Sequence, residues 1–165
     1  MRRFDPIRLV PVLVIFLLLA ACGSSGGTTG SGGTTPTAKP AIKVALVTDI
    51  GGLNDNGFNH LAYLGYTKAQ QQYGFKTAII QTQSQNDYVK NLTTAAEDVG
   101  SGGLVVAVGF LMQTPLDQVA KQFSSTNFAI VDGCAVPNAT TGACETLPNV
   151  SPLFFKEQEA GCLVG

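Results

Sequence analysis

Apolar segments of strand length alternate with amphipathic segments of helix length from Ile42 onward, and this alternation restricts the fold more than any other feature. The apolar segments hold few polar residues, which is typical of strands buried on both faces of a parallel sheet. Repeated strand-helix-strand units joined by right-handed crossovers predict an α/β fold, a doubly wound parallel sheet with the flavodoxin-like strand order 2-1-3-4-5. The predicted strands are Ile42–Thr48, Lys76–Gln81, Leu104–Val108, Phe128–Val131 and a weaker one at Val150–Phe155.

Two local signals refine this prediction. Thr114 followed by Pro115 is typical of a helix start, with Thr114 as the N-cap of the third helix. Pro152 cannot donate a ladder hydrogen bond, so it predicts that the fifth strand lies at the sheet edge or bends.

Polar residues follow the strands and are predicted to meet at one edge of the sheet. In open α/β sheets the ligand binds outside the carboxyl ends of the strands. We therefore expect the binding site among the residues at those ends, which are Asp49, Gln81–Gln83, Gly109 and Phe110, and Asp132 and Gly133.

The loop after the first strand brings an acid, two glycines and an aromatic residue to this edge. Gly51 and Gly52 permit a tight turn and leave room for a ligand. Asp49 can accept hydrogen bonds from ligand N–H or O–H groups, and Phe58 offers a flat face for stacking. This interpretation predicts a site for a planar heterocycle with hydrogen-bond donors. The residue types also permit a second interpretation, in which Asp49 only caps a turn and Phe58 lies in the core.

The first 40 residues indicate export and anchoring rather than a folded unit. Residues 1–21 have a basic start and a short apolar stretch, as a secretory signal peptide does, and the sequence that closes on Cys22 resembles the bacterial lipobox. We expect a lipid anchor on Cys22 that holds the mature protein at the cell membrane, facing the periplasm or the cell exterior. An ordinary signal with an incidental cysteine is the alternative. Residues 22–40, rich in Gly, Ser and Thr, predict a flexible tether, and residues 41–165 the folded domain.

The remaining composition excludes several classes. With a formal net charge of −1 and no Lys/Arg run, the chain is not expected to bind nucleic acid. Neither a metal nor another cofactor is expected, since the lone His60 is predicted on a solvated helix face. An enzyme is the rival class, but no nucleophile or base stands in a recognisable motif. Cys134 and Cys144 flank a short loop and form either a disulfide or two free thiols.

Four segments in order resemble the basic membrane protein family of purine-nucleoside-receptor-like lipoproteins, which serve ABC transporters and have the type I periplasmic binding protein fold. They are Val44–Gly52 continuing through Asp55–Asn59, Val106–Phe110, Phe128–Gly133 and Phe154–Gly161. The resemblance covers nearly everything from Lys43 to Gly165.

The resemblance implies roles for individual residues. In the family, the acid after the first strand binds the nucleoside and the aromatic residue of the Phe-Asn pair stacks on the base. These residues are Asp49 and Phe58 here. Asn59 and Asp132 are further candidate ligand contacts, and Gly109 and Phe110 are implied to line the cleft.

The resemblance also implies membrane partners and a second lobe. A purine nucleoside would be the ligand, and an ABC permease and ATPase would be the membrane partners. A tethered sensor that passes ligand occupancy to a signalling receptor is the alternative. Family members have a second lobe of similar size, so we expect the chain to be the N-terminal lobe with the second lobe missing.

Overall fold

The computed structural model describes residues 42–138, 140–141, 143–145 and 147–164. The predicted signal segment, the lipidation site at Cys22 and the predicted tether lie outside the described residues. Within the described part, no helix is both long enough and apolar enough to span a membrane.

A five-stranded sheet forms the centre of the domain, and all of its neighbouring strands are parallel. The strand order is β2-β1-β3-β4-β7, so the predicted doubly wound order is confirmed. A separate two-stranded antiparallel ribbon lies between β4 and β7 in the chain. The strands are β1 Lys43–Thr48, β2 Lys76–Gln81, β3 Leu104–Val108, β4 Asn127–Val131, β5 Val136–Pro137, β6 Cys144–Glu145 and β7 Val150–Leu153.

Four helices accompany the sheet: α1 Phe58–Tyr73, α2 Tyr88–Val99, α3 Gln113–Gln122 and α4 Glu157–Val164. Successive residues of β1 point to opposite faces, so Ala45 and Val47 belong to the larger core with α2 and α3. Val44 and Leu46 belong to a smaller core with α1. All four side chains are buried, because β1 has a neighbouring strand on each side and a hydrophobic core on each face.

The face that carries α1 is only partly covered by the described residues. A groove of about 410 Å³ lies beside α1, and Leu104 and Val106 of β3 line it together with Tyr66. The right-handed crossover rule explains this, since the β1–β2 connection runs in the opposite direction to the later ones and places one helix on this face. Helices therefore flank both faces of the sheet, as predicted, but the described residues leave Leu104 and Val106 of β3 only partly buried.

Two local predictions had different outcomes. Thr114 does not cap α3, because one 3-10 turn at Phe110–Met112 leads directly into a helix that begins at Gln113. Pro152 lies in β7 at the sheet edge, as predicted, and pairs with Ile130 on one side. The fifth strand ends at Leu153, earlier than predicted, which leaves Phe154 and Phe155 exposed beyond it.

Candidate ligand-binding cleft

A cleft of about 210 Å³ opens at the carboxyl edge of the sheet, between the loops that follow β1, β3 and β4. Seven of the eight residues singled out for the ligand site line it, and Gly52 does not. Gln81–Gln83 and Gly133, also expected at this edge, do not line this cleft. The cleft-lining residues are Asp49, Ile50, Gly51, Asp55, Phe58, Asn59, Val108, Gly109, Phe110 and Asp132.

Phe58 is the aromatic face of the cleft. It is the first residue of α1, and 47% of its surface is exposed. Its ring centroid lies 5.7 Å from that of Phe155, with a tilt of 48° between the planes. The interpretation that Phe58 lies in the core is therefore wrong, because the side chain lines the cleft and is about half exposed.

Asp49 is half-buried and holds its carboxylate in a defined orientation. Its Oδ1 accepts a hydrogen bond from the Ile50 N–H at 2.6 Å and another from the Tyr88 hydroxyl. Oδ2 accepts no hydrogen bond from the described residues and lies against Gly109. Asp49 thus caps its own turn and also presents an unpaired acceptor oxygen in the cleft.

Gly109 provides the space that this carboxylate needs. A Cβ atom at Gly109 would lie 2.7 Å from Asp49 Oδ2, so any side chain at this position would force the carboxylate to shift. Its φ of +99° also favours glycine. Gly52, at φ +69°, turns the loop without lining the cleft, and a Cβ there would lie 3.4 Å from Gln81 Oε1.

Hydrogen bonds of Asn59 and Asp55 organise the loop. Asn59 is buried; its Oδ1 accepts from the Asp49 N–H at 2.9 Å, and its Nδ2 donates to Asp55 Oδ2 at 2.9 Å. Both ends of the Asn59 amide are therefore engaged within the protein. Its observed contacts hold Asp49 and the start of α1 together.

Asp55 supplies the hydrogen bonds that cap α1, a role the sequence analysis missed. Its Oδ1 accepts from the N–H groups of Gly57 at 2.8 Å and His60 at 3.0 Å, and its Oδ2 from the Asn59 N–H at 3.2 Å. Burial raises the pKa of Asp55, but the hydrogen bonds from Gly57, His60 and Asn59 outweigh it and hold the pKa below its ordinary value. An Asp immediately before an Asn-Gly turn and a helix start is the signal that could have revealed it.

Asp55→Ala is expected to lower the free energy of unfolding by about 1 kcal/mol at pH 7, the usual cost of losing a helix cap. Because the folded pKa is depressed, this contribution is present above the unfolded pKa of about 3.9 and is lost as the pH falls through the folded pKa. Urea unfolding at pH 7 and at pH 3 measures the difference. Asp87→Ala is the matched control, since Asp87 precedes α2 without a side-chain cap. Equal destabilisation at both pH values would contradict the ionic cap.

A second cavity of about 370 Å³ adjoins the cleft and shares Phe110 and Asp132 with it. Phe154 and Glu157 line its far side. A hydrogen bond to Asp132, together with the negative charge of Asp132, raises the pKa of Glu157. Asp132 adopts a left-handed φ of +63°, which Asp tolerates better than most residues. The cleft therefore continues along the edge of the sheet towards α4.

Cys134 and Cys144 are bonded to each other, with their Cα atoms 5.8 Å apart, and the bond links β6 to the loop after β4. Cys162 carries a free, exposed thiol.

Across the part of the chain that the structure describes, no group of three or more His, Cys, Asp and Glu side chains is arranged to ligate a metal ion. His60 lies on α1 outside the cleft and is half-buried, with its Nδ1 2.9 Å from the Leu53 carbonyl oxygen.

The five-stranded parallel sheet with its flanking helices matches the fold of ABC transporter solute-binding proteins. The crystal structure of such a protein from Aeropyrum pernix superposes with a TM-score of 0.62 at 33% sequence identity. The matched region covers 74% of this chain and 31% of that protein.

Comparison with protein families gives the narrower assignment. Residues 42–165 match the Bmp family, described as ABC transporter substrate-binding protein PnrA-like, and the chain belongs to this family. It is 37% identical over 151 residues to an uncharacterized lipoprotein of Pyrococcus furiosus, covering 92% of this chain and 36% of that protein. It is 28% identical over 152 residues to the ABC transporter nucleoside-binding protein BmpA of Lactococcus lactis, covering 90% and 39%. The chain spans about a third of the length of the curated relatives it matches.

Proposed function

We propose that this chain is the N-terminal, ligand-binding lobe of a membrane-anchored substrate-binding lipoprotein that delivers purine nucleosides to an ABC importer. One observation carries the proposal: the half-exposed Phe58 ring and the unpaired Oδ2 of Asp49 lie in the same cleft. An aromatic face next to a carboxylate acceptor suits a flat base that carries N–H donors.

The chemistry of the cleft favours a nucleoside over a free sugar. Sugar sites also use carboxylates, but a base gains roughly 1–3 kcal/mol from stacking on an aromatic ring. The second cavity, with Asp132 and Glu157 at its rim, extends the cleft in one direction and offers acceptors for ribose hydroxyl groups. Base and ribose would therefore lie along the edge of the sheet.

Family membership supports the remaining parts of the proposal. ABC importers use a receptor outside the cytoplasm that passes its ligand to a permease, while an ATPase drives transport. The relatives include proteins named as lipoproteins and one named as a nucleoside-binding protein. A second lobe, supplied by residues beyond this chain, would close over Phe58 and complete the binding site.

Isothermal titration calorimetry tests the proposal on the native protein, expressed without residues 1–22 and with any residues that follow Gly165 in its reading frame retained. Guanosine, inosine and adenosine are titrated in turn, with ribose and glucose as controls. We expect saturable binding of at least one nucleoside and no binding of either sugar. Sugar binding in the absence of nucleoside binding would overturn the proposal.

Cys22→Ser is expected to move the protein from the membrane fraction to the soluble fraction and to prevent lipid labelling, because the thiol of Cys22 is the proposed lipid attachment point. Fractionation of the native host after labelling with a radioactive fatty acid measures both effects. Cys162→Ser removes the free thiol of α4 and should leave the protein lipidated at the membrane. Unchanged labelling of Cys22→Ser would show that the anchor lies elsewhere.

A further inference from the structure

Tyr88 contacts the cleft residue Asp49 from the face of the sheet that carries α2. It is the first residue of α2, which belongs to the core on the face opposite α1, and only 2% of its surface is exposed. Its hydroxyl group donates a hydrogen bond to Asp49 Oδ1, across 39 positions of sequence. A buried tyrosine usually finds a partner for its hydroxyl group, and here the partner is the acid proposed to bind the ligand.

Three further contacts fix Asp49. Its N–H donates to Asn59 Oδ1 at 2.9 Å, and the Ile50 N–H donates to Oδ1 at 2.6 Å. Gly109 leaves just enough space for Oδ2, since a Cβ there would lie 2.7 Å from this oxygen. The backbone and one carboxylate oxygen are thus held by the protein, and the second oxygen remains available in the cleft.

The Tyr88 hydroxyl group stays protonated over the pH range found at a cell envelope. Burial raises the pKa of Tyr88, and the hydrogen bond to Asp49 and the charge of that carboxylate raise it further. Tyr88 therefore remains a hydrogen-bond donor to Asp49.

We infer that Tyr88 is a positioning residue that holds the Asp49 carboxylate with Oδ2 presented to the ligand. This inference rests on the proposed function, and it predicts that Tyr88 acts on the ligand through Asp49 alone. A group that acts only through another loses its effect when the other is removed, which a double-mutant cycle detects.

The experiment compares nucleoside affinity in four forms of the native protein: wild type, Tyr88→Phe, Asp49→Ala and the double variant. Tyr88→Phe keeps the buried ring and should weaken binding about tenfold in the wild-type background. It should weaken binding less than twofold when Asp49 is already Ala. Equal losses in both backgrounds, or no loss in either, would overturn the inference.

Tyr66→Phe is the matched control for a purely structural effect. Tyr66 is also a buried tyrosine, and its hydroxyl donates to the Val44 carbonyl oxygen at 2.7 Å, on the face of the sheet that carries α1. Its loss should lower the melting temperature and leave affinity unchanged. A loss of affinity equal to that of Tyr88→Phe would mean that any buried hydroxyl group matters and would contradict a specific role.

Two further measurements keep the inference testable. If Tyr88→Phe does not fold, 4-aminophenylalanine at position 88, which keeps a donor at the same place on the ring, should retain wild-type affinity, and a tenfold loss would contradict the inference. If the wild-type protein binds no nucleoside, the proposed function fails. Ligand-free crystal structures of wild type and Tyr88→Phe then decide: Asp49 should turn away from the cleft in the variant, and an unmoved carboxylate would overturn the inference.

Discussion

Asp49→Ala is expected to weaken nucleoside binding by about 1.5–3 kcal/mol, which corresponds to roughly ten- to a hundredfold in affinity. The variant removes the carboxylate whose Oδ2 is the unpaired acceptor in the cleft. It also leaves the Tyr88 hydroxyl group without its partner, so a modest loss of stability should accompany the loss of affinity. Calorimetry with the nucleoside that binds wild type most tightly measures the first effect, and thermal unfolding measures the second.

A matched control separates the local loss from a general change in charge. Glu97→Ala removes an exposed acid of α2 that does not line the cleft, and it should leave affinity unchanged. Full affinity in Asp49→Ala would mean that the carboxylate does not contact the ligand and only shapes its turn.

Phe58→Ala is expected to cost roughly 1–3 kcal/mol of binding free energy through lost stacking of the base. Because the ring is 47% exposed in this structure, its removal should cost little stability. Loss of affinity without loss of stability is therefore the expected signature, measured by calorimetry and thermal unfolding on the same preparation. Phe58→Tyr and Phe58→Trp keep a stacking face and should retain most of the affinity.

Tyr73→Ala is the control for removing an exposed aromatic residue. Tyr73 lies at the opposite end of α1 and is 72% exposed, so its removal should change neither affinity nor stability by much. If Phe58→Ala binds as tightly as Tyr73→Ala, the base stacks elsewhere, and the exposed Phe110 becomes the next candidate.

The sheet and the position of the cleft could be predicted because both follow from local patterns. Continuous apolar strands, amphipathic helices between them and the right-handed crossover rule leave little choice of strand order. Asp49 and Gly109 directly follow β1 and β3, so their place at the carboxyl edge follows from the strand boundaries alone. The two-residue strands β5 and β6 are too short to leave a pattern and were not predicted.

The hydrogen bonds that hold the cleft residues in place could not be predicted, because they join residues that are distant in the sequence. Tyr88 fits the apolar face of α2, and nothing nearby in the sequence indicates that its hydroxyl group meets Asp49, 39 residues away. The hydrogen bonds of the Asn59 amide to Asp49 and Asp55 leave no signal in the sequence either, and its contact with a ligand stays a prediction. Sequence patterns indicate which groups need partners, and only the three-dimensional fold decides which partners they find.

The most direct test of the central claim is a crystal structure of the native protein with a bound purine nucleoside. We predict that the base lies against the ring of Phe58, with an N–H group of the base donating to Asp49 Oδ2 and the ribose directed towards Asp132. A nucleoside bound away from the cleft formed by the loops after β1, β3 and β4, or a base without contact to either Phe58 or Asp49, would contradict the account.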